Sequence, residues 1–123
     1  ERRQGGKALI EHQLTRYRLG DMLRRVELCR SVARRSLAFA RLSPLTHPYV
    51  TAAGKVTVTQ EAMKVVDEAF QLFGGAGMSR EYPIEKLYRD ARVALIEDGE
   101  NTILTMRLGV LAQQLYAEGW SQT

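Results

Sequence analysis

Residues 19–40 read Leu19-Gly20-Asp21-Met22-Leu23-Arg24-Arg25-Val26-Glu27-Leu28-Cys29-Arg30-Ser31-Val32-Ala33-Arg34-Arg35-Ser36-Leu37-Ala38-Phe39-Ala40. Leu19, Leu23, Val26, Cys29, Ala33, Leu37 and Ala40 recur at steps of three and four, the spacing that gathers side chains on one face of an α-helix. Arg16, Arg30, Arg34 and Arg41 border one side of this stripe, Arg18 and Arg25 the other. From there long basic side chains lay their stems along apolar surface and keep the charge in water. The pattern predicts one long helix over about residues 7–41.

Outward from that helix the chain punctuates itself. Ser43-Pro44 and His47-Pro48 break it, because proline disfavours helical geometry in the residue before it. A second helix is expected over about 49–73, with Val58, Ala62, Val65, Ala69 and Leu72 on one face. The stretch Val56-Thr57-Val58-Thr59 has strand propensity, which the continuing three-four spacing overrides. Gly74-Gly75-Ala76-Gly77 supplies the positive φ that ends a helix. Pro83 suits the first turn of a third helix over about 83–95. Gly99 interrupts it, and Leu104, Leu108, Leu111 and Leu115 define a fourth over about 101–118. Four amphipathic helices with short connections imply an all-α fold, an antiparallel four-helix bundle.

Composition agrees with one globular domain. The 123 residues suffice for a single core, and 45% hydrophobic with 26% charged is ordinary for such a domain. No apolar run of about 18 residues exists, so no membrane span is expected, and no secretory signal pattern is present. Cys29 is the single cysteine, which excludes an internal disulfide and suits a reducing compartment, the cytoplasm, or the mitochondrial matrix in a eukaryote. Its apolar helical neighbours mark it as a small core residue rather than a nucleophile. Residues 1–41 hold eleven Lys and Arg against four acids, residues 42–123 seven against ten. Such a basic first segment suits phosphates of a nucleotide, a nucleic acid or a membrane surface, or else a solvated helix face.

Two His and one Cys, far apart, supply no metal constellation, and neither His12 nor His47 has a neighbouring Ser or Cys to activate. Three clusters carry chemistry. Arg2-Arg3-Gln4-Gly5-Gly6-Lys7, followed by Glu11-His12-Gln13, sets guanidinium groups beside glycines, a combination able to grip a diphosphate. Gln71-Leu72-Phe73-Gly74-Gly75-Ala76-Gly77 is a helix end whose glycine-rich turn offers backbone N–H groups to a ligand, or merely caps the helix. It is not the dinucleotide fingerprint, since no strand precedes it. Ile96-Glu97-Asp98-Gly99-Glu100-Asn101 places acids where they complement a helix dipole or, alternatively, present a general base on a loop.

Together these clusters resemble one family. Gln71-Leu72-Phe73-Gly74-Gly75, then Arg80-Glu81-Tyr82-Pro83-Ile84-Glu85-Lys86-Leu87-Tyr88-Arg89-Asp90-Ala91-Arg92, is similar to the most recognisable stretch of the acyl-CoA dehydrogenases. Glu1-Arg2-Arg3-Gln4-x-Gly6-Lys7 and Glu11-His12-Gln13 match the other landmark of that family's carboxy-terminal helical domain. The resemblance covers essentially the whole chain. It implies a carboxy-terminal domain, residues 1–123, of a longer polypeptide whose amino-terminal helical and β domains lie outside this sequence. The opening without an initiator Met fits that expectation.

The resemblance further implies a flavoprotein oxidoreductase of fatty acid metabolism, usually a homotetramer, with FAD between domains and across a subunit interface. A carboxylate removes the proton α to an acyl-CoA thioester, the β hydride passes to FAD, and an electron-transferring flavoprotein reoxidises it. By match, Arg2 contacts the FAD diphosphate of the neighbouring subunit, Gln13 lies near the same cofactor, and Gln71, Gly74 and Gly75 cradle its adenosine-diphosphate half. Gly5 stands where the family commonly has Phe. Where family members show Tyr-Glu-Gly-Thr, this chain has Glu97-Asp98-Gly99-Glu100, so Asp98 occupies the base position, with Glu97 as the alternative and Glu100 replacing the flavin-contacting Thr. A subset of the family carries its base upstream.

Alternatives are an acyl-CoA oxidase of the same fold and, from another class, a non-catalytic basic helical interaction module. The arginines lack the interleaved aromatics of single-strand nucleic-acid binders, so nucleic acid is not expected as a partner, and without an apolar run neither is a membrane. The chain alone is expected neither to hold FAD tightly nor to oxidise acyl-CoA. A dimer or tetramer is expected, with Phe70, Leu104 and Trp120 exposed at subunit contacts.

Overall fold

A computed structural model describes residues 2–42 and 48–119. It is all-α apart from a minimal hairpin, with helices α1 (Gln13–Leu42), α2 (Pro48–Phe73), α3 (Ile84–Ala94) and α4 (Asn101–Ala117) in the expected order. The breaks at Pro44 and His47, and Trp120, lie outside the described residues. α2 opens on Pro48, whose missing N–H would have no intrahelical partner at a first position.

The first helix begins later than its periodicity suggests. Arg3–Gln4 and Lys7–Ala8 pair as antiparallel strands β1 and β2, with Arg3 opposite Ala8 and Gln4 opposite Lys7. The two-residue connection is Gly5-Gly6, at φ 57° and 77°. Two consecutive positive φ values are the condition for a tight primed hairpin turn, and only glycine meets it without strain. A 3₁₀ turn over Leu9–Glu11 and an extended His12 then lead into α1.

α1 and α2 run antiparallel. Ser36 Oγ donates to Val50 O (3.3 Å), Cys29 Sγ to Val58 O (3.7 Å), Arg25 Nη1 to Glu61, and Arg18 Nε lies 3.4 Å from Glu68 Oε2. Position falls along α1 as it rises along α2, with a near-constant register. The seam on α1 therefore reads Thr15, Arg18, Met22, Arg25, Cys29, Val32 and Ser36, all buried or half-buried. This corrects part of the stripe expected from periodicity: Val26, Cys29 and Ala33 are half-buried, but Leu19, Leu23, Leu37 and Ala40 are exposed. Leu23 and Leu37 remain 64% and 65% exposed, while Arg18 and Arg25 sit in the seam because α2 supplies carboxylates opposite them. Cys29 is half-buried as expected, and burial pushes its thiol up from the ordinary range, Glu61 adding to this.

α2 is the central element, packed against α1, α3 and α4, and among the described residues α1 makes no comparable contact with α3 or α4. Its expected face, Val58, Ala62, Val65, Ala69 and Leu72, is half-buried, as are Leu104, Leu108, Leu111 and Leu115 of α4. Phe70 and Leu104 are not the exposed contacts expected. Phe70 packs edge-on against Tyr88 of α3 (5.4 Å between centroids), and Leu104 lies under Gly99. Ile103, Met106 and Val110, at steps of three and four, form the exposed strip of α4 instead, and Leu19, Leu23 and Leu37 form another on α1.

Candidate functional site

The chemistry-bearing residues gather at two places on α2. The first is its carboxy-terminal end. Gly74, at φ 59°, turns the chain out of α2 into a 3₁₀ segment, Gly74–Met78. Arg2, 71 residues earlier, donates from Nη1 to the Phe73 carbonyl at 3.1 Å. A Cβ at Gly74 would stand 2.3 Å from that same nitrogen, so the side chain needs the glycine in order to lie across the turn. Gly77 makes a second close approach, since a Cβ there would meet Phe70 and Phe73 at 3.2 Å.

The hairpin and this turn enclose a groove of about 580 Å³, lined by Arg2, Gln4, Gly5, Leu9, His12, Leu14, Thr15, Arg18, Gln71, Leu72 and Gly74. Two guanidinium groups stand in a wall whose glycines at 5 and 74 admit close backbone approach, and Leu9, Leu14 and Leu72 add apolar surface. Arg18 is the partner of Glu68, whose Oε2 is buried and accepts no hydrogen bond among the described residues. Arg2 therefore presents the less compensated charge. These groups fit an elongated anion with a flat apolar portion, a description that a dinucleotide satisfies.

Of the residues singled out by sequence, Arg2, Gln71 and Gly74 converge on this groove. Gln13 is exposed at the first position of α1 and Gly75 is exposed beyond the turn, both outside the lining. Gln4 and His12 of the amino-terminal cluster line it as well, with His12 Nε2 2.9 Å from Gln4 O, while Thr15 and Arg18 line it unforeseen. The signal for Arg18 is present in sequence only as a charge beside an apolar stripe. Its inward direction depends on Glu68, 50 residues away.

The second place is the turn between α3 and α4. Asp98 has φ 53° and Gly99 φ 101°, and Asp98 is the one non-glycine residue with positive φ among the described residues. Glu100, not Asp98, caps α4, accepting from Thr102 N at 2.9 Å and Ile103 N at 3.2 Å. The Thr102 N–H, joined by that of Ile103, holds the Glu100 carboxyl below its usual range. Glu97 and Asp98 are exposed. Lys55 of α2 reaches the turn, donating from Nζ to Gly99 O and to Asn101 Oδ1, both at 2.8 Å.

Lys55 and Phe73 are 18 positions apart on α2, roughly 27 Å of helix. The groove and the acidic turn thus belong to opposite ends of one rod. Among the described residues, no group of three or more His, Cys, Asp or Glu gathers closely enough to hold a metal ion, and no helix is long and apolar enough to cross a membrane.

Comparison with known proteins agrees with this geometry. Residues 1–113 match the family model of the acyl-CoA dehydrogenase carboxy-terminal domain. A probable acyl-CoA dehydrogenase of Mycobacterium tuberculosis is 34% identical over 103 residues, 84% of this chain and 26% of that protein. Cyclohexane-1-carbonyl-CoA dehydrogenase of Geobacter metallireducens is 30% identical over 96% of this chain and 30% of its own length. The solved structure of butyryl-CoA dehydrogenase from Megasphaera elsdenii superposes with a TM-score of 0.83 at 32% identity, over 92% of this chain and 29% of that one. The chain belongs to the acyl-CoA dehydrogenase family and corresponds to its carboxy-terminal helical domain. It spans between a quarter and a third of the length of the relatives it matches.

Proposed function

We propose that this domain serves an FAD-dependent acyl-CoA dehydrogenase, forming a 2-enoyl-CoA from an acyl-CoA thioester. In this reading it grips one end of FAD with the groove and offers the proton-abstracting carboxylate from the α3–α4 turn. The observation that carries it is the placement of Arg2 across the Gly74 turn, which makes a glycine-walled, arginine-bearing groove from segments distant in sequence.

FAD, when bound, supplies the acceptor for the hydride leaving the β carbon. Arg2 holds negative charge at the diphosphate through charge-assisted donors. Gly5 and Gly74 let backbone approach, and Gln71 contributes a side-chain amide at the groove wall. The roughly 27 Å along α2 between groove and turn supports a division of labour: the groove of one copy serves the cofactor whose reacting end faces another copy's acidic turn. Gln13 and Gly75, exposed beside the groove, are assigned to the part of the cofactor that extends beyond it.

Asp98 takes the α proton in this reading. Its carboxylate is exposed and relieved of capping, since Glu100 does that work, and its backbone is left-handed at φ 53°. Strained residues of this kind concentrate at functional sites. A carboxylate acts as a general base when it stands within hydrogen-bond reach of the proton it takes. The exposed strips on α1 and α4 support a homo-oligomer, a dimer or tetramer, and an electron-transferring flavoprotein is the electron acceptor inferred.

The test uses the full-length protein with short- to long-chain acyl-CoA thioesters. Asp98→Asn is expected to lower turnover about a thousandfold while FAD stays bound. Full activity in Asp98→Asn with a dead Glu97→Gln would move the base to Glu97. Activity in both would place the base outside this chain.

A further inference from the structure

Asn101 is 7% exposed, and a buried amide requires partners at both ends. Its Nδ2 donates to Thr59 Oγ1 at 2.9 Å and its Oδ1 accepts from Lys55 Nζ at 2.8 Å. Thr59 Oγ1 in turn donates to Lys55 O at 2.9 Å, one turn back on α2. Lys55 is half-buried and its ammonium also donates to Gly99 O. The Asn101 N–H closes the same turn from the other side, donating to Leu95 O at 3.1 Å. Two residues of α2 thus hold a turn that contains two successive left-handed residues, one of them the non-glycine Asp98.

A non-glycine residue in that region persists only when its surroundings over-determine it. Capping by Glu100 satisfies the start of α4 but touches neither Asp98 nor Gly99. The Lys55 ammonium reaches this pair directly, because the Gly99 carbonyl it meets belongs to the second of the two residues. Without it, the buried Asn101 would lose the partner of its Oδ1, and Gly99 O, which is exposed, would turn to water.

We infer that Lys55 is a positioning residue: with Asn101 and Thr59 it clamps the 97–100 turn, fixing the direction in which the Asp98 carboxylate points. This rests on the reading of Asp98 as the base, and it extends that reading to a lysine 43 positions upstream, on another helix. The effect on rate follows from geometry. A displacement of the reacting carboxylate by about 1 Å costs on the order of a hundredfold.

The experiment compares Lys55→Met, Lys55→Arg and Thr59→Val in the full-length flavoprotein. It measures kcat and KM over the acyl-CoA series, bound FAD, and amide hydrogen exchange in the peptide spanning 96–101. Lys55→Met is expected to lower kcat by about 10- to 100-fold with KM and FAD content unchanged, and to speed exchange in that peptide. Lys55→Arg, whose fork carries enough donors for both oxygens, restores most of both. Wild-type kcat and exchange in Lys55→Met overturn the inference, as does an equal loss of kcat, KM and FAD that Arg does not rescue. If Lys55→Met does not fold, Thr59→Val keeps the shape and removes the oxygen that orients Asn101. Unchanged exchange and kcat in that variant overturn the inference as well. If Asp98→Asn proves active, the assignment of the base fails, while faster exchange in Lys55→Met still upholds the clamp.

Discussion

Gly54 of α2 faces α1 at close range, and alanine there tests the crossing directly. A Cβ at Gly54 would lie 1.9 Å from Ser36 Oγ, 3.0 Å from Ser36 Cβ and 3.6 Å from Val32 Cγ1. The hydroxyl can rotate away, giving up its 3.3 Å bond to Val50 O, a loss of about 1 kcal/mol. Ser36 Cβ cannot rotate, because the backbone of α1 fixes it, so the helices must part by a few tenths of an ångström. Overpacking of this kind costs about 1–3 kcal/mol. Against it stands the helix propensity of alanine over glycine, about 1 kcal/mol. The clash wins, for a net loss of about 2 kcal/mol, or about 8 °C in melting temperature at roughly 4 °C per kcal/mol. Gly20 is the control. It lies in α1, exposed, and a methyl added there would meet nothing within 4 Å, so Gly20→Ala should melt about 4 °C higher. Adding Ser36→Ala to Gly54→Ala removes the oxygen clash alone and should recover part of the loss. Thermal melts followed by circular dichroism read all three. A Gly54→Ala protein that melts at or above wild type would refute the close crossing and the register built on it.

Gly74→Ala forces a methyl to φ 59° and into Arg2, so the FAD affinity of the full-length protein should fall about tenfold or more. Gly109→Ala on α4, with nothing within 4 Å, should retain it, and equal titrations for the two would remove the groove from the cofactor site. Glu100→Ala removes the α4 cap and should lower the melting temperature slightly, whereas Glu100→Ser, which keeps an acceptor, should melt near wild type. Three carboxyls are held below their usual range: Glu61 by Lys64 and then Arg25, Asp21 by Arg24 and then Arg25, and Glu100 by the Thr102 N–H. A lowered folded pKa makes the ionised form stabilising. That contribution is complete above the unfolded value of about 4 and is lost as pH falls through the lowered folded values. Melting temperature should therefore hold from neutrality to about pH 5 and drop below it, and Glu61→Gln should flatten the drop.

Much of the fold is written in local pattern. Four helices, their order and nearly all their ends follow from three-four spacing, from Pro48 and Pro83, and from glycines at 74 and 99. These are short-range effects: backbone sterics and the 3.6-residue period act within a few positions. The convergence of Arg2, Gln71 and Gly74 is legible only through resemblance to a family, since nothing local links residues 2 and 74. The hairpin at residues 3–8 is not legible at all, because Gly5-Gly6 admits either a turn or a frayed helix start until pairing partners are known.

Tertiary structure alone decided which face of α1 is inside. Hydrophobicity favours Leu19, Leu23 and Leu37, yet the seam takes Arg18 and Arg25, because Glu68 and Glu61 on α2 compensate charges that would otherwise stay in water. It likewise decided that Glu100 rather than Asp98 caps α4, and that Lys55 reaches the turn. Each of these depends on a partner tens of residues away or on a backbone dihedral, and amino-acid order carries neither explicitly. Helices are therefore set by neighbours along the chain, while the direction of a charged side chain is set by the neighbours that folding brings to it.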